Sequence, residues 1–199
     1  EEVKTTTATK RCPLGTRGYT PDGRVFYYAL NGAVALVVGD LVQTAPPGAF
    51  ATAGEQPGLD TQDVTSTWTK IRLSGTGSTW TEPCAVNEYA GGYLIIEAST
   101  GSGQAGQIVK IKSNTVCGAS NTSGVYYSDF TFDPDDPRLK PISPADTLQI
   151  ICNEYYKVVA YTAVTTRTGT ILGMPICAVA ASYYFWVQTW GACVARNQD

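Results

Sequence analysis

The residues that could carry chemistry in this chain are serine, cysteine, lysine and carboxylate side chains, because its 199 residues include no histidine. A serine or cysteine nucleophile is most often activated by an imidazole whose pKa lies near neutrality. Without histidine, a Ser-Lys or a Cys-only site stays open. Three motifs would point to catalysis or nucleotide binding: Ser-x-x-Lys, the G-x-S-x-G nucleophile elbow and a phosphate-binding loop ending in Lys-Ser or Lys-Thr. None of them occurs. The sequence therefore predicts a protein that is not an enzyme and has no catalytic residues.

Six cysteines are widely spaced along the chain, and no C-x-x-C pair occurs among them. They are Cys12, Cys84, Cys117, Cys152, Cys177 and Cys193. Zinc sites usually show close cysteine pairs or cysteine together with histidine, so neither a metal site nor any other cofactor is predicted. Buried thiols and disulfides both stay open, because spacing alone cannot pair six cysteines.

Two further patterns could suggest a ligand site. Asp133, Asp135 and Asp136 are interleaved with Pro134 and Pro137, which indicates a solvated turn, with a calcium site as the alternative. Residues 101–106 match G-x-G-x-x-G, but no helical pattern follows them. We interpret that segment as a hairpin loop and not as a dinucleotide site.

The amino-acid composition limits the classes of partner that this chain is expected to bind. Charged residues make up 16% of the chain and the net charge is −3, against roughly 25% charged residues in an average soluble domain. This low charge indicates a surface that other protein covers, with an extracellular β protein rich in Thr and Ser as the alternative. The longest basic run is Lys10-Arg11, so nucleic acid is not an expected partner. The longest strongly apolar run, 33–38, is far shorter than the about 20 residues of a membrane helix, so no membrane partner is expected. A leader that has been removed stays open.

Short β-prone segments separated by turn residues dominate the chain. Residues 1–23 predict an extended N-terminal arm, because they carry too little apolar surface to fold alone. Residues 24–199 predict a single all-β domain, a β-barrel or β-sandwich. The predicted strands are 24–28, 33–38, 41–43, 68–73, 91–96, 107–112, 125–132, 147–152, 157–163 and 183–189. Residues 44–63 predict a long loop and 169–175 a turn-rich link; a helix over 143–155 is the weaker alternative to the strand there.

The last predicted strand is rich in aromatic residues. Alternation places Tyr183 and Phe185 on one face and Tyr184 and Trp186 on the other. If only one face is core, the other exposes large aromatic rings and marks an interface; a strand buried on both faces is the alternative. The predicted interface residues come from the arm and from the end of the chain: Val3, Thr5, Thr7, Tyr19, Tyr184, Trp186 and Trp190.

Three blocks of the sequence, taken in their order along the chain, resemble those of a known class of proteins. They are Asp22-Gly23-Arg24-x-Phe26-x-Tyr28 with the segment 32–43, Gly92-Tyr93-Leu94 with Gly101-x-Gly103 and 108–114, and Gly173-x-Pro175 with Val179-x-Ala181 and 183–191. Together they resemble virion structural proteins of tailed bacteriophages, particularly marine ones. The similar blocks are spread over most of the chain, and the six cysteines depart from that pattern.

The resemblance implies a decoration or cement protein on the outer surface of the capsid. Such a protein binds the major capsid protein and itself, with a trimer expected, and it commonly has an arm that reaches across neighbouring subunits. No catalytic residue is implied. The alternatives are a tail, fibre or tail-tube component, and an adhesion module that binds glycans through Trp68, Trp80, Trp186 and Trp190. A hydrolase built on an acidic pair is a further, weaker alternative.

Overall fold

The computed structural model describes residues 3–45, 58–59, 70–76, 84–98, 105–116, 118–119, 125–133, 147–161 and 169–196. The chain divides into two compact units, which are taken separately below. Unit 1 comprises Glu1–Pro46 and Glu154–Asp199, and unit 2 comprises Pro47–Asn153. The boundaries expected from the sequence, an arm over 1–23 and one domain over 24–199, do not coincide with this division and stay a prediction.

The described residues of unit 1 form a six-stranded antiparallel sheet. Its strands are β1 (Arg17–Tyr19), β2 (Val25–Leu30), β3 (Val42–Gln43), β11 (Val159–Ala160), β12 (Ile171–Pro175) and β13 (Tyr184–Trp190), in the order β1-β2-β13-β12-β3-β11. The longest pairing joins β2 to β13. Both of these strands were predicted, as 24–28 and 183–189, and both are rich in aromatic residues.

The described residues of unit 2 form a second antiparallel sheet of seven strands. These strands are β4 (Gly58–Leu59), β5 (Lys70–Thr76), β6 (Tyr93–Ala98), β7 (Ile108–Asn114), β8 (Gly118–Ala119), β9 (Val125–Phe132) and β10 (Thr147–Ile151). The order is β10-β6-β7-β9-β5-β4, with β8 paired to β9. The fold is all-β, and one of the two sheets is a curled half-barrel, so the predicted β-barrel or β-sandwich class is confirmed.

Each unit has its own core. In unit 2, alternate residues of five strands point inward and bury Leu73, Leu94, Ile111, Phe130 and Leu148 completely. In unit 1, the β2–β13 pair is apolar on both faces: Ala29, Phe185 and Val187 face one cluster, and Phe26, Tyr28 and Trp186 face another. Complete burial of such a side chain contributes about 1.5–3 kcal/mol.

Three predicted elements are wrong. The loop predicted over 44–63 contains the short strand β4 (Gly58–Leu59), which pairs with β5. The apolar run 33–38 is not a strand and makes only one isolated bridge, Leu36 to Val179. Polar side chains next to this run bind its backbone instead: Asn31 Nδ2 donates to the carbonyl of Val34 (2.8 Å), and Asp40 Oδ2 accepts from the amide of Val37 (3.1 Å). Side chains that satisfy backbone groups in this way compete with a strand ladder.

The predicted turn-rich link over 169–175 contains strand β12. The glycines of this segment let other parts of the chain approach its backbone closely, and they do not form a turn. A Cβ on Gly173 would lie 2.1 Å from the carbonyl oxygen of Gln188, and one on Gly169 would lie 2.4 Å from Thr44 Oγ1. A glycine inside a strand often marks such a backbone approach. The strand at 147–152 is confirmed as β10, while residues 143–146 lie outside the described residues.

Candidate interaction surfaces

The N-terminal segment lies on the sheet of its own unit. Thr7 and Tyr184 exchange both backbone hydrogen bonds (3.0 and 2.8 Å), and the amide of Gly15 donates to the carbonyl of Tyr28 (2.8 Å). Val3, Cys12 and Leu14 pack against Phe26, Tyr28 and Trp186. Strand β13 is therefore buried on both faces, which is the alternative that alternation left open.

Most of the predicted interface residues contact one another within the chain. Val3 and Trp186 belong to one apolar cluster, Thr7 pairs with Tyr184, and Thr5 is half-buried. Trp186 is only 6% exposed. Tyr19 and Trp190 differ from the rest, because their side chains are 75% and 72% exposed. A role of these residues in contacts with another molecule stays a prediction.

Tyr19 and Trp190 lie in one cross-strand row. Tyr19 of β1 is opposite Val25 of β2, and Val25 is opposite Trp190 of β13, where a β-bulge follows Gln188. Directly opposite residues of an antiparallel pair share a face, so the two rings flank Val25 on the same side of the sheet. We call Tyr19, Val25 and Trp190 the aromatic ridge.

Hydrogen bonds from the buried side chain of Gln188 fix the backbone at Trp190. Gln188 is 3% exposed, and its Nε2 donates to the carbonyls of Trp190 (3.2 Å) and Ala192 (2.9 Å). Gly191 has φ of 94°, and a Cβ there would lie 2.7 Å from Cγ of Arg24. A side chain other than glycine at 191 would be both strained and crowded. The end of β13 therefore presents Trp190 in one backbone conformation.

Two arginines next to the ridge differ in their partners. Arg24 forms an ion pair with Asp22 (Nε to Oδ2, 2.8 Å). Hydrogen bonding from Thr20 is the main cause that lowers the pKa of the Asp22 carboxyl, and Arg24 adds to it. The guanidinium of Arg17 lies 5.8 Å from the centre of the Tyr19 ring. Arg17 is exposed and has no carboxylate partner within the described residues.

Unit 2 presents a second surface on the side of its sheet that faces away from its core. Tyr93 of β6 is opposite both Ile151 of β10 and Lys110 of β7, and Ile95 is opposite Ile108. Tyr93, Ile108 and Ile151 are 44%, 56% and 43% exposed, and Ile95 is half-buried. We call Tyr93, Ile95, Ile108 and Ile151 the apolar strip. Exposed apolar side chains that adjoin in this way mark an interaction surface.

Cationic side chains continue the same face beyond the apolar strip. Lys110 and Lys112 alternate with the buried Val109 and Ile111 along β7. Lys70 and Arg72 occupy the outward positions of β5, where their neighbours Ile71 and Leu73 are buried. We call these four residues the basic strip: Lys70, Arg72, Lys110 and Lys112.

Asp129 is the carboxylate between the two halves of the basic strip. Its Oδ1 accepts from Nε of Arg72 (2.7 Å), and its Oδ2 lies 2.8 Å from Nζ of Lys70. The hydrogen bond from Arg72, followed by the one from Lys70, lowers the pKa of Asp129 below its ordinary value of 3.8, although burial opposes this. The carboxylate holds two cations side by side at the centre of the sheet.

Replacing Asp129 by asparagine is expected to lower the free energy of unfolding by up to about 1 kcal/mol at neutral pH, because both cationic partners are partly exposed. A carboxyl whose pKa is lowered by folding stabilises the protein above its unfolded pKa, and this stabilisation disappears as pH falls through the folded pKa. The variant should therefore lose less stability than the parent below pH 3.8. Urea unfolding at neutral and acid pH measures this, and a double-mutant cycle with Arg72→Gln isolates the pair. Equal acid dependence of the two proteins would contradict it.

The described cysteine and acidic side chains are dispersed over both units. Five cysteines are described and are thiols in this structure, with Cys84 buried; burial raises the pKa of the Cys177 thiol. Within the described ranges, no group of three or more cysteine, aspartate or glutamate side chains could hold a metal ion. Cys117, Trp68, Trp80, Asp135 and Asp136 lie outside the described residues.

The apolar and basic strips were not predicted as a site. The alternation of Ile108, Lys110 and Lys112 was visible in the sequence, but not the strands that lie beside them.

No helix in the described part of the chain has the length and apolarity that crossing a membrane requires. No family model, no curated protein and no solved structure matches this chain.

Proposed function

We propose that this chain is a structural protein of a tailed-phage virion that decorates the outside of the capsid and stabilises it by bridging major capsid protein subunits. The observation that carries the proposal is the apolar strip with its cationic neighbours. The ordered blocks that resemble phage virion proteins support it independently. The proposed activity is mechanical and needs no catalytic group.

The unit 2 surface fits a protein partner better than a small ligand. Its four apolar residues lie side by side on three adjacent strands and three of them are exposed, whereas small-ligand sites enclose most of the ligand in a cleft. Apolar area that is removed from water contributes roughly 25 cal/mol per Å², and a cationic rim selects a partner with acidic residues at its edge. We expect the apolar strip to cover an apolar patch on the capsid protein. The basic strip, whose four cations outnumber the one carboxylate of Asp129 that Lys70 and Arg72 share, is expected to face carboxylates.

Repetition makes a modest contact sufficient for this function. A capsid offers many equivalent sites, and a self-associated decoration protein engages several of them at once. Association into a trimer, as the resemblance implies, would convert each further contact into an intramolecular event. The proposed partners are therefore the major capsid protein and further copies of this chain.

The direct test is to locate the protein and then remove it. Gold-labelled antibody against the chain is expected to mark the heads of intact particles in electron micrographs. Particles made without the chain are expected to release DNA at a lower temperature than complete ones. Gold on the tail would contradict the proposal and favour the tail or fibre alternative, and equal DNA retention would contradict the cementing role.

Replacing Ile108 by aspartate is expected to weaken binding to such depleted particles by at least about tenfold, because a hydrated carboxylate in the apolar strip would have to lose its water when the partner covers it. Ile108 is 56% exposed, so the stability of the isolated protein should change by less than about 0.5 kcal/mol. Cosedimentation with depleted particles measures the binding.

Val86→Asp is the matched control, because Val86 is 63% exposed in unit 2 but lies outside the apolar strip. It should bind the particles as the parent does. Equal binding by Ile108→Asp and the parent would show that the apolar strip is not the contact surface, and the gold labelling would still report the location.

A further inference from the structure

We propose that the aromatic ridge of unit 1 binds an extended saccharide chain that carries carboxylate groups. Tyr19 and Trp190 are the most exposed aromatic side chains of their sheet among the described residues, and both lie on one face. Aromatic rings combine a flat apolar face with a polar edge, so they suit a ligand with apolar C–H faces and many hydroxyls. A saccharide has this chemistry.

The spacing of the two rings indicates an extended ligand. Tyr19 and Trp190 are separated by two strand intervals, with Val25 between them. Neighbouring strands lie about 4.7–4.9 Å apart, which places the two Cα atoms roughly 10 Å apart. An extended saccharide chain repeats its orientation every second sugar at a similar distance. One chain lying across β1, β2 and β13 could therefore stack alternate sugars on the two rings.

The charge beside the ridge indicates an acidic sugar. Arg17 is exposed, its guanidinium lies 5.8 Å from the Tyr19 ring centre, and it has no carboxylate partner among the described residues. Arg24, in contrast, is occupied by Asp22. The guanidinium binds carboxylates in a bidentate manner. A carboxylate on a sugar next to the one on Tyr19 would complete the ion pair that Arg17 lacks.

The backbone that carries the ridge is ordered before any ligand arrives. The amide of Gln188 fixes the backbone at Trp190 and Ala192, and Gly191 packs against Arg24. Tyr19 belongs to β1, whose register against β2 is set by three residue pairs. A surface that is ordered in advance loses less entropy on binding.

A protein partner is a weaker fit for this surface. A stable protein interface buries about 800 Å² on each side around a contiguous apolar centre. Around the ridge, two separated rings are accompanied by Arg17, Asp22 and Arg24, which is a polar setting with isolated stacking positions.

The test uses the full chain and two β-1,4-linked hexasaccharides, cellohexaose and its counterpart oxidised at every C6 to glucuronate. Isothermal titration calorimetry is expected to show that the acidic hexasaccharide binds more tightly than the neutral one. Trp190→Ala and Tyr19→Ala should each weaken that binding by about tenfold. Arg17→Gln should remove the preference for the acidic chain and its dependence on salt.

Tyr183→Ala is the matched control, since Tyr183 is 36% exposed and precedes β13, whereas Trp190 ends it. It should bind as the parent does. Three results would overturn the proposal: no heat with either hexasaccharide, binding that survives both ridge substitutions, or equal loss in the Tyr183 control. These outcomes do not depend on capsid particles, so they are independent of the proposed decoration function.

Discussion

Replacing Trp186 by alanine is expected to lower the free energy of unfolding by about 3–5 kcal/mol, because the change empties the centre of a filled apolar cluster. Trp186 is 6% exposed, and its ring meets that of Tyr28 edge to face at 5.2 Å between centres. A Cβ on Gly18 would lie 3.1 Å from Cζ3 of Trp186, so β1 passes directly over the ring. Loss of the indole removes the surface on which the N-terminal segment rests.

The readouts are urea unfolding and limited proteolysis of the first 23 residues. Trp186→Ala should expose that segment to protease well before the rest of unit 1 is cut. Trp190→Ala is the matched control, because the same residue type in the same strand is 72% exposed and should change stability by less than about 0.5 kcal/mol. If the two variants were equally stable, the N-terminal segment would not be docked on its own sheet, and an arm that reaches to neighbouring subunits would be favoured.

Replacing Asn114 by alanine is expected to lower the stability of unit 2 by about 1–3 kcal/mol, because the buried amide of Tyr89 loses its acceptor and the partly buried carbonyl of Ala85 loses a donor. Asn114 is 3% exposed at the end of β7. Its Oδ1 accepts from the amide of Tyr89 (2.9 Å), and its Nδ2 donates to the carbonyls of Ala85 (3.0 Å) and Thr115 (2.9 Å). One side chain therefore holds the turn at 84–92 against the strand that carries Ile108.

Asn114→Asp tests the same contacts through the pH dependence of the free energy of unfolding. A buried carboxylate facing two carbonyl oxygens has no donor to offer, so folding raises the pKa of this new carboxyl. Stability is then highest below its unfolded pKa, where the acid is protonated, and it falls as pH rises through the folded pKa. Urea unfolding between about pH 4 and pH 8 should show Asn114→Asp losing stability relative to the parent.

Ser113→Ala is the control for this position, since Ser113 is the half-buried neighbour of Asn114 in the same strand. It should stay within about 0.5 kcal/mol of the parent at every pH. A pH-independent difference between Asn114→Asp and the parent would show that the amide hydrogen bonds do not hold the turn.

Local patterns were sufficient to predict the best-formed strands. Alternation over 107–112 gives inward and outward residues of β7 that match their observed burial, and the aromatic runs at 125–132 and 183–189 become β9 and β13. Alternation succeeds for β7 because a strand with one buried face must place apolar residues at every second position, and the continuous aromatic run of β13 succeeds because both of its faces are buried. The all-β class follows from the number of such segments.

The same reasoning failed where the partner of a segment decides its conformation. The run 33–38 is as apolar as a strand, yet Asn31 and Asp40 bind its backbone. The glycines at 169 and 173 look like turn residues, but they are required because other chain segments approach them within van der Waals distance. A single sequence does not show which of its side chains and segments come together in the fold, so intrinsic preference alone gives the wrong element.

For the candidate surfaces too, the sequence indicated single residues, and only the fold showed which of them are neighbours. Tyr19 and Trp190 were predicted as interface residues separately, and only the register of three strands makes them one ridge. Trp186 was predicted with them, but the N-terminal segment covers it. The apolar and basic strips join residues of β5, β6, β7 and β10, which are distant in sequence.

The sequence by itself determined the absence of histidine and of the common nucleophile motifs, the all-β class and the positions of most strands. Each of these depends on residue type or on spacing within a few residues. Only the tertiary structure decided which aromatic rings are buried, where the N-terminal segment lies, and which exposed side chains stand together. Burial and cross-strand neighbours depend on the pairing of distant segments, and local residue patterns do not specify that pairing.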